Sequence, residues 1–336
     1  MNELMTASLS VFVQLANVIF EKAKESTTAV MRTSGLYKVE SVPGNTGNIR
    51  QYTEIDLNQY ARRKGEGDQA KRAKVQQGYS KNLQSYRVAA DIGITYEMRT
   101  QNKYSDVINR LTNLATQAVR RMELDMAHRI TFGTATSYTD MDGETVDTAV
   151  GDTYQLFYTA HTVRGSSTTY RNILANNPQL SRGALELMEK NAVEQSVNQF
   201  GEKVKIDFDI LWTTDDPNTI NTALEYLRSV SAPDVNNSGV VNVYKGKYKH
   251  VILPLVATDA NGLVDSTKAK YWGIASSMAT SAHALIWEEP RLKTPSVGNN
   301  GEEFSTDDFS FGTRAGFGIC IVNSQWIHAS KGDATA

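Results

Sequence analysis

The sequence predicts an α+β fold in which a long amphipathic strand feeds a long buried helix, and three observations predict it. The first is alternation from Ser85 to Arg99. Tyr86, Val88, Ala90, Ile92, Ile94, Tyr96 and Met98 fall on one face and Arg87, Ala89, Asp91, Gly93, Thr95, Glu97 and Arg99 on the other, the period of a strand with one apolar side. The second is the change of period that follows. From Ser105 to Thr131 a stripe of Val107, Leu111, Leu114, Ala118 and Met122 runs beside a second of Ile108, Ala115, Val119, Met126 and Ile130, an apolar face so wide that only a packed helix explains it. The third is the α/β rhythm that begins at Leu180. At about 3.3 Å per strand residue and 1.5 Å per helix residue, the first two elements extend to roughly 50 and 40 Å, whereas a compact chain of this length has a radius of gyration of only about 20 Å. A flat or elongated molecule follows, which suits a building block better than a pocketed enzyme.

Taken in order, Leu9, Phe12, Ala16, Ile19 and Ala23 recur at helical spacing and predict an amphipathic helix from about Thr6 to Met31, ending before Gly35. Its apolar stretch, Leu9 to Phe20, is broken by Gln14 and Asn17, lacks a basic leader and is shorter than the roughly 20 residues that span a bilayer, so neither a signal peptide nor a membrane span is expected. The helix belongs either to the chain's own core or to an arm laid on a neighbour, with Phe12 and Ile19 as candidate subunit-contact residues. Leu36 to Glu40 and Asn48 to Ile55 read as short strands around a Pro43-Gly44-Asn45 turn.

Between Tyr60 and Ser85 apolar residues nearly vanish, while Arg62, Arg63, Lys64, Lys71, Arg72, Lys74 and Lys81 accumulate against Glu66 and Asp68. The flanking strands can pair as an extended hairpin with this loop at its tip. The loop reads as a solvated turn, as a docking tip for an acidic protein surface, or as a nucleic-acid contact for which only Tyr60 and Tyr79 offer stacking. Gly133 to Gly165 is polar and turn-rich. Within it, Asp140-Met141-Asp142-Gly143-Glu144 resembles the start of a calcium loop but fails the EF-hand spacing, leaving a plain Asp-Gly turn.

A helix from Ser181 to about Asn198 carries Ala184, Leu187, Met188 and Ala192, and a strand from Val204 to Trp212 follows. Asp216 then caps a helix with Pro217 at its first position, running to about Val230. A Pro233 to Gly239 turn leads to strands near Tyr248 to Val256 and Ala284 to Trp287. The Gly-rich stretch Pro295 to Gly301 precedes a last strand pair, Phe304 to Arg314 and Gly316 to Ala329, with Lys331 to Ala336 as a tail.

Composition excludes several functions. Thirty-five basic against 37 acidic residues leave a formal charge of -2, without the basic excess of a nucleic-acid binder. A single cysteine, Cys320, excludes an intramolecular disulfide, fits a reducing compartment and, inside the apolar run Phe317 to Val322, is expected to be a buried structural thiol. The five histidines, His128, His161, His250, His283 and His328, are scattered and form no metal-ligand motif. His128, three residues after Asp125, reads as half of a surface pair on the long helix. There is no phosphate-binding loop and no nucleophile elbow, and Gly312, Gly316 and Gly318 have the wrong spacing for a dinucleotide turn and are better explained by close packing in a strand. Asn236-Asn237-Ser238 is a formal glycosylation sequon with no leader to make it relevant. No catalytic, cofactor-binding or metal residue emerges, and an enzyme of unknown substrate would have only the Val204 to Val256 region as its scaffold.

The order of parts resembles the major capsid protein of tailed bacteriophages, the Hong Kong 97 fold. Glu302 to Phe309, then Arg314 to Gly318, then Trp326 to Ser330 resemble that family's closing hairpin. Phe157-Tyr158-Thr159-Ala160-His161, followed by Leu180 to Leu187 and the strand and helix through Leu227, is similar to the Mu-type head-subunit branch, which reads F-F-x-x-x-H-P where this chain has Val163 and no proline. The resemblance implies an N-arm at 1–35, a first piece of the peripheral domain at 36–50, and the extended loop at 51–86. It further implies a peripheral domain at 87–163 with its spine helix at 105–131, an axial domain at 164–281, return strands at 282–330 and a tail at 331–336. It implies a non-enzymatic head protein, without cofactor or membrane, whose pentamers and hexamers close an icosahedral shell around double-stranded DNA. Scaffolding, portal and decoration proteins would be its partners, and the virion, assembled in host cytoplasm, its location. An encapsulin-like compartment around enzyme cargo is the alternative with the same fold. A closed shell needs several heterologous patches on each subunit, which extended arms and loops supply, and a near-neutral lining does not hold DNA tightly.

Overall fold

The computed structural model describes residues 2–27, 29–42, 49–57, 60–95, 97–98, 104–231, 241–294 and 309–333. The turns expected at Pro43-Gly44-Asn45 and Pro233 to Gly239, the Gly-rich stretch Pro295 to Gly301 and the acidic segment Glu302 to Asp308 lie outside the described residues, as does the side chain of Phe12.

The chain opens with α1 (Asn2–Ser26) and the single turn α2 (Val30–Thr33), followed by β1 (Lys38–Ser41) and the paired strands β2 (Ile49–Leu57) and β3 (Val75–Gln84). β4 (Tyr86–Ile94) leads to the long helix α3 (Tyr104–Thr131), and the short ribbons β5 (Ser137–Thr139) with β6 (Thr145–Asp147) and β7 (His161–Thr162) with β8 (Thr169–Tyr170) follow. α4 (Arg182–Gln195), β9 (Ile210–Thr213), α5 (Pro217–Arg228), β10 (Lys249–Ile252) and β11 (Trp272–Ala275) form an α/β unit. β12 (Ala282–Lys293), β13 (Phe309–Ile321) and β14 (Ile327–Ser330) end the described chain.

Two four-stranded sheets organise these elements. The first has the order β1-β12-β13-β4 and the second the order β10-β9-β11-β14. One face of the first sheet packs on α3: Ala284, Ile286, Ala315 and Phe317 meet Ala118, Met122 and Met126, while Phe309 and Phe311 meet Leu111 and Leu114 farther along. The two helical stripes are therefore buried apart from Ile108, which is 38% exposed, and Gln117, which belongs to neither, is exposed. In the second sheet Leu211, Trp272 and Ile274 pack against Leu185, Met188 and Ala192 of α4 and Ala223 and Leu227 of α5. Asp216 caps α5 by accepting from Thr219 N, with Pro217 at the first position as expected.

Several expectations are corrected. The extended run is displaced: β4 stops at Ile94, opposite Phe309, but only Ser85 separates its start from β3, so one nearly continuous segment serves two ladders. The last strand pair is not a pair. β13 runs unbroken through the glycines between β12 and β4, and β14 instead joins β11 in the second sheet. The glycines sit where other groups cover the strand: a Cβ on Gly316 would lie 2.2 Å from the Trp287 ring and one on Gly318 2.5 Å from Leu83. The Val204 to Trp212 strand shrinks to β9, and the residues before it keep an alternating exposure without a ladder.

His128 is no surface residue. It is buried beside Phe132 and Tyr138, with Nε2 3.2 Å from Thr258 Oγ1 and Nδ1 3.3 Å from Tyr138 Oη. Asp125 is buried too, held by Tyr86 Oη at 2.7 Å and Arg121 Nε at 3.1 Å. A polar pair three apart on a helix is expected at its surface, whereas here Tyr86, Tyr138 and Thr258 from other parts of the chain bond to the pair inside the core.

Candidate assembly surface

β2 and β3 pair antiparallel from Ile49 opposite Gln84 to Leu57 opposite Val75, with a bulge between Thr53 and Ile55. Beyond them residues 60–74 carry no strand, and every one is exposed. Arg62, Arg63, Lys64, Lys71, Arg72 and Lys74 all lie on this tip, which turns at Gly67 with φ of +80° and an Asp68 N–H donating to Gly65 O. Among the described residues Arg62, Arg63, Lys64, Lys71 and Arg72 have no ion-pair partner within the chain. A tip this polar buries nothing of its own, so its position is set from its base.

That base is firmly seated. Arg164 Nη1 donates to Gly78 O at 2.9 Å, Gln76 Nε2 to Arg164 O at 2.9 Å, and Tyr79 Oη lies 2.8 Å from Thr162 Oγ1. Lys81 donates to Ala149 O and pairs with Asp147 at 2.9 Å, and Leu83 is buried against Leu285 and Cys320 on the second face of the first sheet. Burial pushes the Cys320 thiol up to about 12.

The other N-terminal candidate, Ile19, is half-buried on the core built by Ala16, Val107 and Leu111, so this part of α1 packs within its own chain. Among its described side chains Leu15 and Val18 are exposed and apolar, and sequence periodicity alone did not single them out. A further surface was also missed because three strands supply it. On the face of the first sheet opposite α3, Glu288 Oε1 accepts from Arg291 Nε at 2.6 Å and Arg314 Nε at 2.7 Å, and the Arg87 guanidinium lies 4.6 Å over the Trp287 ring.

No arrangement for acid-base catalysis accompanies these surfaces among the described residues. His161 and Asp152 are both buried and lie 2.7 Å apart through Nδ1 and Oδ2, but His161 Nε2 is 3.2 Å from Leu156 O. Both ring nitrogens are thus engaged internally, leaving neither to take a substrate proton. A cavity of about 1140 Å³ beside α3 is lined by Glu123, whose carboxylate accepts from Met31 N and Arg32 N, and by Arg121, which is shared by Asp125, Asp140 and Asp142. No group of three or more potential metal ligands occurs among the described residues, and no described helix is long and apolar enough to cross a membrane.

Comparison with known proteins finds no matching family model and no matching curated protein. Solved structures do match. The capsid of Myoviridae phage XM1 aligns over 90% of this chain and 91% of its own at 11% identity with a TM-score of 0.51. The chain shares its fold with the XM1 capsid. A chain from Gordonia phage Cozz aligns over 92% of this chain and 87% of its own at 13% identity with a TM-score of 0.50. The virus-like particle from Pyrococcus furiosus aligns at a TM-score of 0.46 and 10% identity, over 94% of this chain and 98% of its own, too low a likeness to carry weight. At this identity only the fold is common to the two chains.

Proposed function

We propose that this chain is a major capsid protein of a tailed bacteriophage, of the Hong Kong 97 type and nearest its Mu-type branch, whose pentamers and hexamers close an icosahedral shell around double-stranded DNA. The observation that carries the reading is the fold shared with the XM1 capsid over nine-tenths of both chains. On this reading 1–35 is the N-arm, 51–86 the extended loop, 105–131 the spine helix, 164–281 the axial domain, and 36–50, 87–163 and 282–330 the peripheral domain.

The physical form supports it. A hairpin anchored at its base and fully exposed at a basic tip makes contact area beyond the subunit's own core, and heterologous contacts of that kind are what a closed shell multiplies. The tip residues Arg62, Arg63, Lys64, Lys71, Arg72 and Lys74 rest on an acidic surface of a neighbouring copy. Scaffolding, portal and decoration proteins are the partners of such a shell, which forms in the host cytoplasm and ends in the virion.

Particles purified from producing cells, treated with nuclease and then opened, test the proposal. Protected double-stranded DNA of genome length is the expected content. Particles holding an enzyme cargo and no DNA would make the chain an encapsulin-like compartment instead, and absence of particles from cells that make the folded protein would overturn both.

A further inference from the structure

The base of the hairpin meets the body through two carboxyl groups. Glu54, at the bulge of β2, and Asp56 both reach Gln199. Gln199 engages both: its backbone N–H donates to Asp56 Oδ2 at 3.1 Å, and its Nε2 donates to Glu54 Oε2 at 3.1 Å. The other end of that amide is the informative atom. Gln199 Oε1 is buried and has no hydrogen-bond partner among the described residues. A buried acceptor without a donor is unfavourable, and an ionised carboxylate beside it has no proton to offer. A carboxylic acid has one. The two side chains then close a reciprocal pair, amide N–H to carboxyl oxygen and carboxyl O–H to amide oxygen.

The surroundings favour the neutral acid. Asp56 from β2, Tyr79 from β3, Asp152 with its partner His161, and Tyr170 from β8 face this site, with Asn323 beside them. Across the more open side, Lys205 pairs with Asp207 at 3.0 Å and so is already engaged. The inner cleft has a volume of only about 10 Å³, room for at most one water. Burial raises the Glu54 carboxyl to about 7; Asp56 and Asp152 push in the same direction, against hydrogen bonds from Asn323 and the Tyr79 backbone.

We propose that Glu54 is a proton-operated latch, which in its neutral form locks the hairpin base onto Gln199 through an acid–amide pair and on losing its proton loosens that base from the body. The sign follows from linkage. Docking raises the affinity of Glu54 for its proton, so docking is favoured in acid and weakens as pH rises from about 4.5 towards 7.

Hydrogen–deuterium exchange on the full-length chain, expressed as protection factors corrected for the intrinsic pH dependence of exchange, tests the latch. Between pH 5.5 and 8 the protection of residues 50–56 and 76–82 should fall at least tenfold, with α3 unchanged. Glu54→Gln, which keeps the reciprocal pairing without a titrating proton, should hold high protection at both pH values, and Gln199→Ala should lower it at both. Constant wild-type protection, or the same fall in Glu54→Gln, overturns the proposal. A carboxyl carbon titration of Glu54 by NMR gives a second reading that needs no variant to fold: a midpoint below about 5 overturns it as well. Neither measurement depends on shell formation, so the latch and the capsid reading fail separately.

Discussion

At the residue scale, Cys320, His128 and His328 are buried and uncharged. Cys320 sits under Leu83 with its thiol raised to about 12, so alkylating reagents at neutral pH should leave it untouched in the native protein and label it fully once unfolded. Cys320→Ser should cost on the order of 1 to 3 kcal/mol in denaturant melts, because its hydroxyl is buried among apolar neighbours, and an intersubunit disulfide at this position would contradict the placement. Two histidines set an acid limit. Burial lowers His128 to about 4 and His328 to about 3, both below the ordinary 6.5 that the unfolded chain presents. Stability from these neutral rings is fully present above about pH 6.5 and is lost as pH falls towards their folded values. The thermal midpoint should therefore drop between pH 6.5 and 4.5, and His328→Asn should flatten that slope. An unchanged slope would mean that the ring is protonated in the fold. Of this residue-scale picture the sequence showed Cys320 in its apolar run, but not Glu54, whose meaning depends on a glutamine 145 positions away.

At the element scale, long periodic segments were the readable part. The helix expected from Ser105 to Thr131 is α3 within one residue, because two adjacent apolar stripes admit one orientation against a sheet. Leu114→Asp should therefore abolish soluble folding by burying an unpaired carboxylate, while Gln117→Asp should melt as wild type; equal tolerance in circular-dichroism melts would mean the helix is turned otherwise. Strand limits were less legible. Alternation continues past Ile94, yet Thr95 lies outside the strand and Glu97 and Met98 are helical, a change that alternation alone does not show. The division of the glycine-rich final segment failed for a related reason. Gly316 and Gly318 read as close packing inside a strand, and the groups that cover them are Trp287 and Leu83, one from β12 and one from β3, which only the pairing of those strands brings there. The basic tip was readable from charge alone, and the Trp287 and Arg314 surface was not, since its members meet only after β4, β12 and β13 pair.

At the scale of the whole molecule, the account separates folding from assembly. Residues 60–74 are all exposed, so reversing Arg62, Arg63 and Lys71 to Glu should leave the subunit's melting temperature near wild type. Each exposed ion pair is worth about 0.2 to 1 kcal/mol, and the loss recurs at every contact of a shell, so the triple variant should fail to close shells at low salt. Salt near 0.1 M, which screens over roughly 10 Å, should weaken wild-type assembly and partly relieve the variant. Light scattering across a salt series checks both, and normal assembly of the variant at low ionic strength would reduce the tip to a solvated turn. The most direct test of the central claim is negative-stain imaging of the purified wild-type chain at low ionic strength, alone and with a candidate scaffolding protein co-expressed. Rings of five and six copies or closed shells of uniform diameter are predicted; a field of compact monomers under every condition would contradict the account.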